Sequence, residues 1–181
     1  MTQMNIADSL TYKKRREVFE KSCEDYPLLE DKAKEHLSPS GNYKLVITPL
    51  ETGEGYWNYG RGVVTDLKSG EEIFTVLRNY GSFWKRWIEH QNGNEYLLCG
   101  EDYQGYTTLN LTERKKHVYF HENGLKGWGF CFTAVKEYDK EFDDSIRVEG
   151  CYWGAQFEIV EYDFSDPDNV PYKELSRYDD D

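Results

Sequence analysis

The chain has 181 residues, a fair length for one domain, of which 38% are hydrophobic and 31% charged. Its 15 Tyr, 9 Phe and 5 Trp bury large areas each, so the modest apolar fraction still supports a core and argues against disorder. A net charge of −12 argues against a nucleic-acid-binding protein, which needs clustered cations to displace counterions from phosphates.

One short basic cluster exists, Lys13-Lys14-Arg15-Arg16. It reads as the solvated face of a helix, with a patch for an acidic partner as the sharper alternative. The N-terminus lacks the apolar run of a signal peptide, and nothing approaches the roughly 18 consecutive apolar residues of a membrane span. A cytoplasmic location is therefore the expectation. Cys23, Cys99, Cys131 and Cys151 lie far apart with no C-x-x-C pair, which predicts reduced, buried thiols rather than a zinc or redox motif.

In chain order, residues 1–8 read as a loose start, and Asp8 or Ser9 is placed to cap a helix. Tyr12, Phe19 and Cys23 then form one helical stripe, widened by Val18, and Pro27 stops the helix. A second short helix is predicted over 28–37, with Leu29, Ala33 and Leu37 on one face. Ser38-Pro39-Ser40-Gly41-Asn42 is a turn cluster, after which the period changes from 3.6 to 2.

Strands are predicted over 43–48, 57–67 and 72–77, with Gly60 and Gly62 marking a bulge or a close backbone approach. Residues 80–88 are aromatic and less regular. Two strands follow within 96–111, then a strand over 117–120, an aromatic strand over 128–135 and a charged excursion over 136–144. Strands over 145–151 and 157–164 close the series, and the last four residues read as a frayed acidic tail. This predicts one α+β domain, mostly antiparallel β, with blade-like strand meanders. It comprises an N-terminal helical lead-in at 1–37, a β-rich core at 38–165 and an acidic C-terminal tail at 166–181.

Three segments share a layout of turn, short apolar strand, variable turn and alternating strand. They are 40–47 with 62–67, 92–99 with 106–111, and 145–151 with 157–164. The Asn-Gly-x-x-Tyr-Leu run beginning at Asn92 and the strand ending in Asn110-Leu111 resemble single blades of WD40-type propellers. The Gly-His and Trp-Asp signature pairs are absent, and three units are too few to close a ring, so antiparallel meanders are expected instead of a propeller. The run Tyr96-Leu97-Leu98-Cys99-Gly100-Glu101-Asp102-Tyr103-Gln104-Gly105, with Gly150-Cys151-Tyr152-Trp153 further on, resembles a family of uncharacterised small proteins. That resemblance implies no known activity.

The turn at 100–105 holds the strongest candidate residues. Glu101 and Asp102 invite an acid–base role, since paired carboxylates can divide the work when their environments push their pKa values apart. Their ordinary reading is a hydrogen-bonding turn. His117 and His121 are four apart in a predicted strand, about 13 Å from each other, too far for one ion. No phosphate-binding loop, nucleophile elbow or Cys-His signature occurs, so no metal and no cofactor is expected.

The aromatic excess near turns is the better lead, because aromatics with a polar handle are enriched at recognition surfaces. The expected function is a non-enzymatic protein-binding or adaptor module of the immunity-protein kind, taking a basic partner. Its binding residues would be Trp57, Arg61, Glu101, Asp102, Tyr103, Gln104, Tyr106, Tyr152 and Trp153. The alternatives are a carbohydrate-directed hydrolase using Glu101 and Asp102, and a structural component of a larger assembly.

Overall fold

A computed structural model describes residues 4–141 and 144–179. One helix and twelve strands are seen among them. The helix α1 is Leu10–Cys23. The strands are β1 Lys34–Leu37, β2 Tyr43–Leu50, β3 Tyr59–Asp66, β4 Glu71–Arg78, β5 Arg86–Glu89, β6 Glu95–Cys99, β7 Tyr106–Asn110, β8 Lys115–Tyr119, β9 Phe130–Asp139, β10 Ser145–Tyr152, β11 Glu158–Asp163 and β12 Glu174–Asp179. They form three four-stranded antiparallel meanders, β1 to β4, β5 to β8 and β9 to β12. The expected α+β class, mostly antiparallel β with an N-terminal helix, is therefore the one observed. The three repeated segments are the two inner strands of the three sheets, β2–β3, β6–β7 and β10–β11.

The chain divides into two compact units. One takes in the described residues up to Tyr12 and from Trp84 onward, and the other is Lys13–Phe83. In the Lys13–Phe83 unit, Leu45, Val64 and Val76 are buried in the first sheet, and the Phe19 and Tyr59 rings meet edge to face at 5.1 Å. Gly62 lies under the Phe83 side chain, whose ring would be 2.6 Å from an added Cβ; the expected bulge or backbone approach is thus a ring seated on the strand, and the register shift between β3 and β4 falls at Val64 and Thr65. Arg16 is buried and donates to the Leu77 carbonyl at 2.9 Å, so one member of the basic cluster is structural.

Several sequence expectations are corrected here. Val18 is exposed, and the helical stripe runs through Arg16 instead. Residues 28–37 hold a three-residue 3-10 turn, Glu30–Lys32, followed by β1, which pairs with β2 and so takes its form from the sheet edge. Lys136 to Asp139 continue β9, because β10 supplies partners for Glu137, Tyr138 and Asp139 while Lys136 sits at a bulge. The presumed tail instead forms β12 on β11, covering Tyr178 and Asp179, while Asp180 and Asp181 lie outside the described residues. Of the loose start expected at 1–8, residues 1–3 lie outside the described residues, while Asn5 is tied down, donating to the Val118 carbonyl at 2.8 Å and accepting from the Phe120 amide at 3.1 Å. Ser9 caps α1, its hydroxyl accepting from the Tyr12 amide at 3.2 Å.

The core of the larger unit is built on β6 and β7. Tyr96 and Leu98 face the same way as Tyr106, because the register sets Tyr96 opposite Asn110 and Leu98 opposite Thr108. These side chains share one cluster with Phe132, Val135, Ile146, Val148, Val160, Tyr162, Phe164 and Tyr172. The opposite face, with Leu97, Thr107 and Leu109, is buried as well, so every residue of β7 is enclosed. Several polar anchors fasten the segment between β11 and β12 to this sheet. Asn110 donates to Asp168 at 3.1 Å, and the Tyr172 amide donates to the Tyr106 hydroxyl at 2.6 Å.

Candidate functional site

The turn between β6 and β7 begins the site. Asp102 accepts from the Gln104 amide at 3.2 Å, closing an Asx turn. Gly105 follows at φ +90°, where a side chain would strike the Tyr119 carbonyl, and its own amide donates to Phe130 O at 3.1 Å. This ties the turn to the start of β9. Glu101 is 5% exposed and paired with Lys116 on β8, while Asp102 is 3% exposed.

With the turn fixed, Gln104 points its oxygen at the Gly129 amide, which donates at 2.7 Å. That bond settles the amide's orientation, since a backbone N–H can only donate. Its Nε2 group finds no acceptor among the described residues, although Gln104 is only 1% exposed. An unpaired buried donor costs free energy, so natural structures leave few of them. Gln104 helps line a cleft of about 190 Å³. The other walls come from Tyr119 at the end of β8, His121 and Asn123 at the following 3-10 turn, Trp128 just before β9, Phe130 and Phe132 on β9, Tyr152 on β10, Tyr162 on β11 and Arg177 on β12. Gly150 makes room for this wall, because the Phe130 ring occupies the place its Cβ would take, 2.6 Å away.

Arg177 is the cleft's cation. Its Nε and Nη2 grip both oxygens of Glu174 at 2.9 Å, and Nη1 reaches Glu158. Its guanidinium lies 4.8 Å from the Phe130 ring centre and 5.8 Å from that of Tyr152. The hydrogen bonds from Arg177 hold the Glu174 carboxyl below its usual range, and the same bonds push the guanidinium up. Two carboxylates thus face one cation, so the cleft does not present an open positive charge. Burial raises the Tyr119 and Tyr162 phenols well above the ordinary value and keeps them protonated.

Trp128, which lines the cleft, is 66% exposed; Trp153, next in the chain after Tyr152, is 58% exposed, with the Tyr103 ring 6.2 Å from its own in an edge-on contact. Of the residues expected to bind, Gln104 and Tyr152 line the cleft, and Tyr103 and Trp153 touch one another. Tyr106 lies in the core, stacked between Phe132 and Tyr172 at 4.7 and 4.8 Å. Trp57 and Arg61 belong to the other unit, where Trp57 lines a second cleft with Tyr26, Thr52, Tyr56 and Tyr59. Sequence reasoning missed Trp128, Phe130 and Arg177 as site residues. Trp128 stands between Gly127 and Gly129, the same glycine-flanked turn signal that singled out Trp153. Arg177 lies within 166–181, expected to be an acidic tail, and carries no such signal.

His117 pairs with Asp168 at 3.1 Å, and His121 accepts from the Asn123 amide at 3.1 Å, closing the 3-10 turn. His90 is buried, with Nε2 within 3.0 Å of both Asp144 and the Phe164 carbonyl, while Nδ1 accepts from Asn92 at 3.1 Å. These bonds give all three rings structural partners. Among the described residues no group of three His, Cys, Asp or Glu is placed to hold a metal ion. No disulfide forms among the described residues, and burial raises the Cys23 and Cys151 thiols.

Fold and site together define a β-meander protein with an aromatic cleft and an unpaired amide at its wall. No protein-family model matches the chain, and no solved structure matches it. The chain is similar to an uncharacterised protein of Acanthamoeba polyphaga mimivirus, 34% identical over 164 residues. The match covers 87% of this chain and 62% of that protein, so the chain spans less than two thirds of its relative's length. No described helix is long and apolar enough to cross a membrane.

Proposed function

We propose that this chain is a non-enzymatic protein-binding module whose recognition surface is the cleft and its aromatic rim. The observation that carries this reading is the exposed Trp128 beside a concave wall of Tyr119, Phe130 and Tyr152, with Trp153 exposed next in the chain after Tyr152. Large aromatics at the edge of a pocket are the side chains that dominate protein interfaces. The net charge of −12 favours a basic partner, drawn in by long-range attraction. A small acidic binder of this kind fits an adaptor or a toxin-neutralising immunity protein.

The hydrolase alternative draws less support. Glu101 and Asp102 are buried, Glu101 is paired with Lys116, and neither lines the cleft. Affinity capture from the organism that makes the protein tests the binding reading, comparing the native chain with Tyr103→Ala, Trp128→Ala and Trp153→Ala. The expected outcome is loss of a captured protein with the rim variants. Unchanged recovery in all three removes this surface.

A further inference from the structure

We propose that the cleft on the Lys13–Phe83 unit receives a methylated ammonium group, carried on a lysine side chain of a basic partner segment. This is a second site, and it does not depend on the cleft beside Trp128. Its lining is Tyr26, Thr52, Tyr56, Trp57 and Tyr59, four aromatic rings and one hydroxyl. Its volume of about 180 Å³ suits the end of one side chain, being small beside the roughly 300–1,000 Å³ of sites for drug-sized ligands.

Three observations point to this chemistry. Aromatic ring faces attract cations, and the Tyr26 and Tyr59 rings stand 5.9 Å apart at 66° to one another, as adjoining walls instead of one flat shelf. The stretches that supply the lining, 22–28 and 45–60, carry Glu24, Asp25, Glu51 and Glu54, all exposed, and no Lys or Arg. That charge, with the net −12 of the chain, favours a cationic segment over a carboxylate or phosphate. None of the described lining residues is a carboxylate, and the Thr52 hydroxyl already donates to the Trp57 carbonyl at 2.8 Å. A bare ammonium would shed its water here without gaining a charged acceptor. Methyl groups replace its N–H donors and present an apolar cationic surface to the rings.

The walls are set before a ligand arrives. The Glu51 amide donates to the Pro27 carbonyl at 2.9 Å, tying the two stretches together beside Tyr26. Trp57 sits against Gly81, where an added Cβ would come within 3.0 Å of its side chain, and its ring lies 5.0 Å from that of Tyr80. Fixed walls lower the ordering cost of binding.

Four probes titrated into the full chain and followed by nuclear magnetic resonance test the proposal. They are the acetylated amide of trimethyllysine, that of unmodified lysine, the neutral tert-butyl isostere of the trimethyllysine probe, and choline. The trimethyllysine probe is expected to move the Trp57 indole signal, to leave that of Trp128 in place, and to bind about fivefold or more tightly than the lysine and tert-butyl probes. Tyr56→Ala should weaken it about threefold, and since Tyr56 is 78% exposed the fold should survive the change. Trp57→Ala should weaken it as well. Equal binding of the lysine or tert-butyl probe overturns the proposal, as do movement of Trp128 in place of Trp57, full affinity in both variants, and no binding at all. Tighter binding of choline than of the trimethyllysine probe overturns the lysine source. Each of these failures leaves the capture test of the Trp128 cleft unaffected.

Discussion

At the scale of single residues, the site depends on glycines more than on the carboxylates that first draw the eye. Glu101 and Asp102 are turn-builders, the first pairing with Lys116 and the second closing the turn onto the Gln104 amide. Gly105 is the residue that cannot change. Its φ of +90° disfavours any side chain, and an added methyl would run into the Tyr119 carbonyl. Gly105→Ala is therefore expected to cost about 3 kcal/mol, combining backbone strain with a backbone clash. A urea midpoint close to that of the native chain would refute this. Gly70→Ala is the control, since it shares a positive φ of +75° but has open space around its Cβ position. It should lose less, and the difference between the two isolates the clash.

At the scale of elements, β7 organises its unit because it is enclosed on both faces and carries polar groups that fasten other segments. Tyr106 does both, stacking on Phe132 and Tyr172 while its hydroxyl accepts from the Tyr172 amide. Tyr106→Phe keeps the ring and removes the acceptor. The buried amide left behind should destabilise the chain by about 1–3 kcal/mol. Amide exchange locates the effect: Tyr172 should lose protection while the β7 amides keep theirs, and equal loss in both would mean a general weakening. Strand identities along this region were legible in the sequence because alternation and glycine turns mark them. Those of β1 and β12 were not. Both are edge strands of four or six residues whose partners, β2 and β11, lie outside the local pattern. Charge in the case of 136–139 likewise hid a strand end that pairing with β10 makes.

At the scale of the whole molecule, ionisation should confine stability to a central pH range. Hydrogen bonds from Arg177 lower the Glu174 carboxyl below 4.5, and those from Ser165 lower Asp163 below 3.8. A carboxyl lowered in the folded state favours folding above its ordinary value, so this contribution fades as pH falls below about 4.5. The phenols of Tyr106, Tyr119, Tyr162 and Tyr172 are raised above 10.0 by burial. There the sign reverses: the unfolded chain ionises first, so stability drops as pH climbs past 10.0. Urea midpoints against pH should show both declines, and the alkaline one should coincide with the phenolate absorbance of the buried tyrosines. Phenolate appearing fully before unfolding would contradict the burial of these rings.

Sequence alone determined the class of this protein. Period-2 alternation separated by glycine turns dictates antiparallel strands, and the repeat layout marks the inner hairpin of each meander, because both are properties of consecutive residues. It also selected the turn at Gln104 and the aromatics Tyr103, Tyr152 and Trp153. Only the tertiary structure decided which of those residues meet. Tyr106 and Gln104 stand two apart, yet one is sealed in the core and the other lines a cleft, because Gly105 turns the chain between them. Arg177 is 73 positions beyond Gln104 and shares its wall through the register of β10, β11 and β12, a long-range pairing that no local spacing encodes.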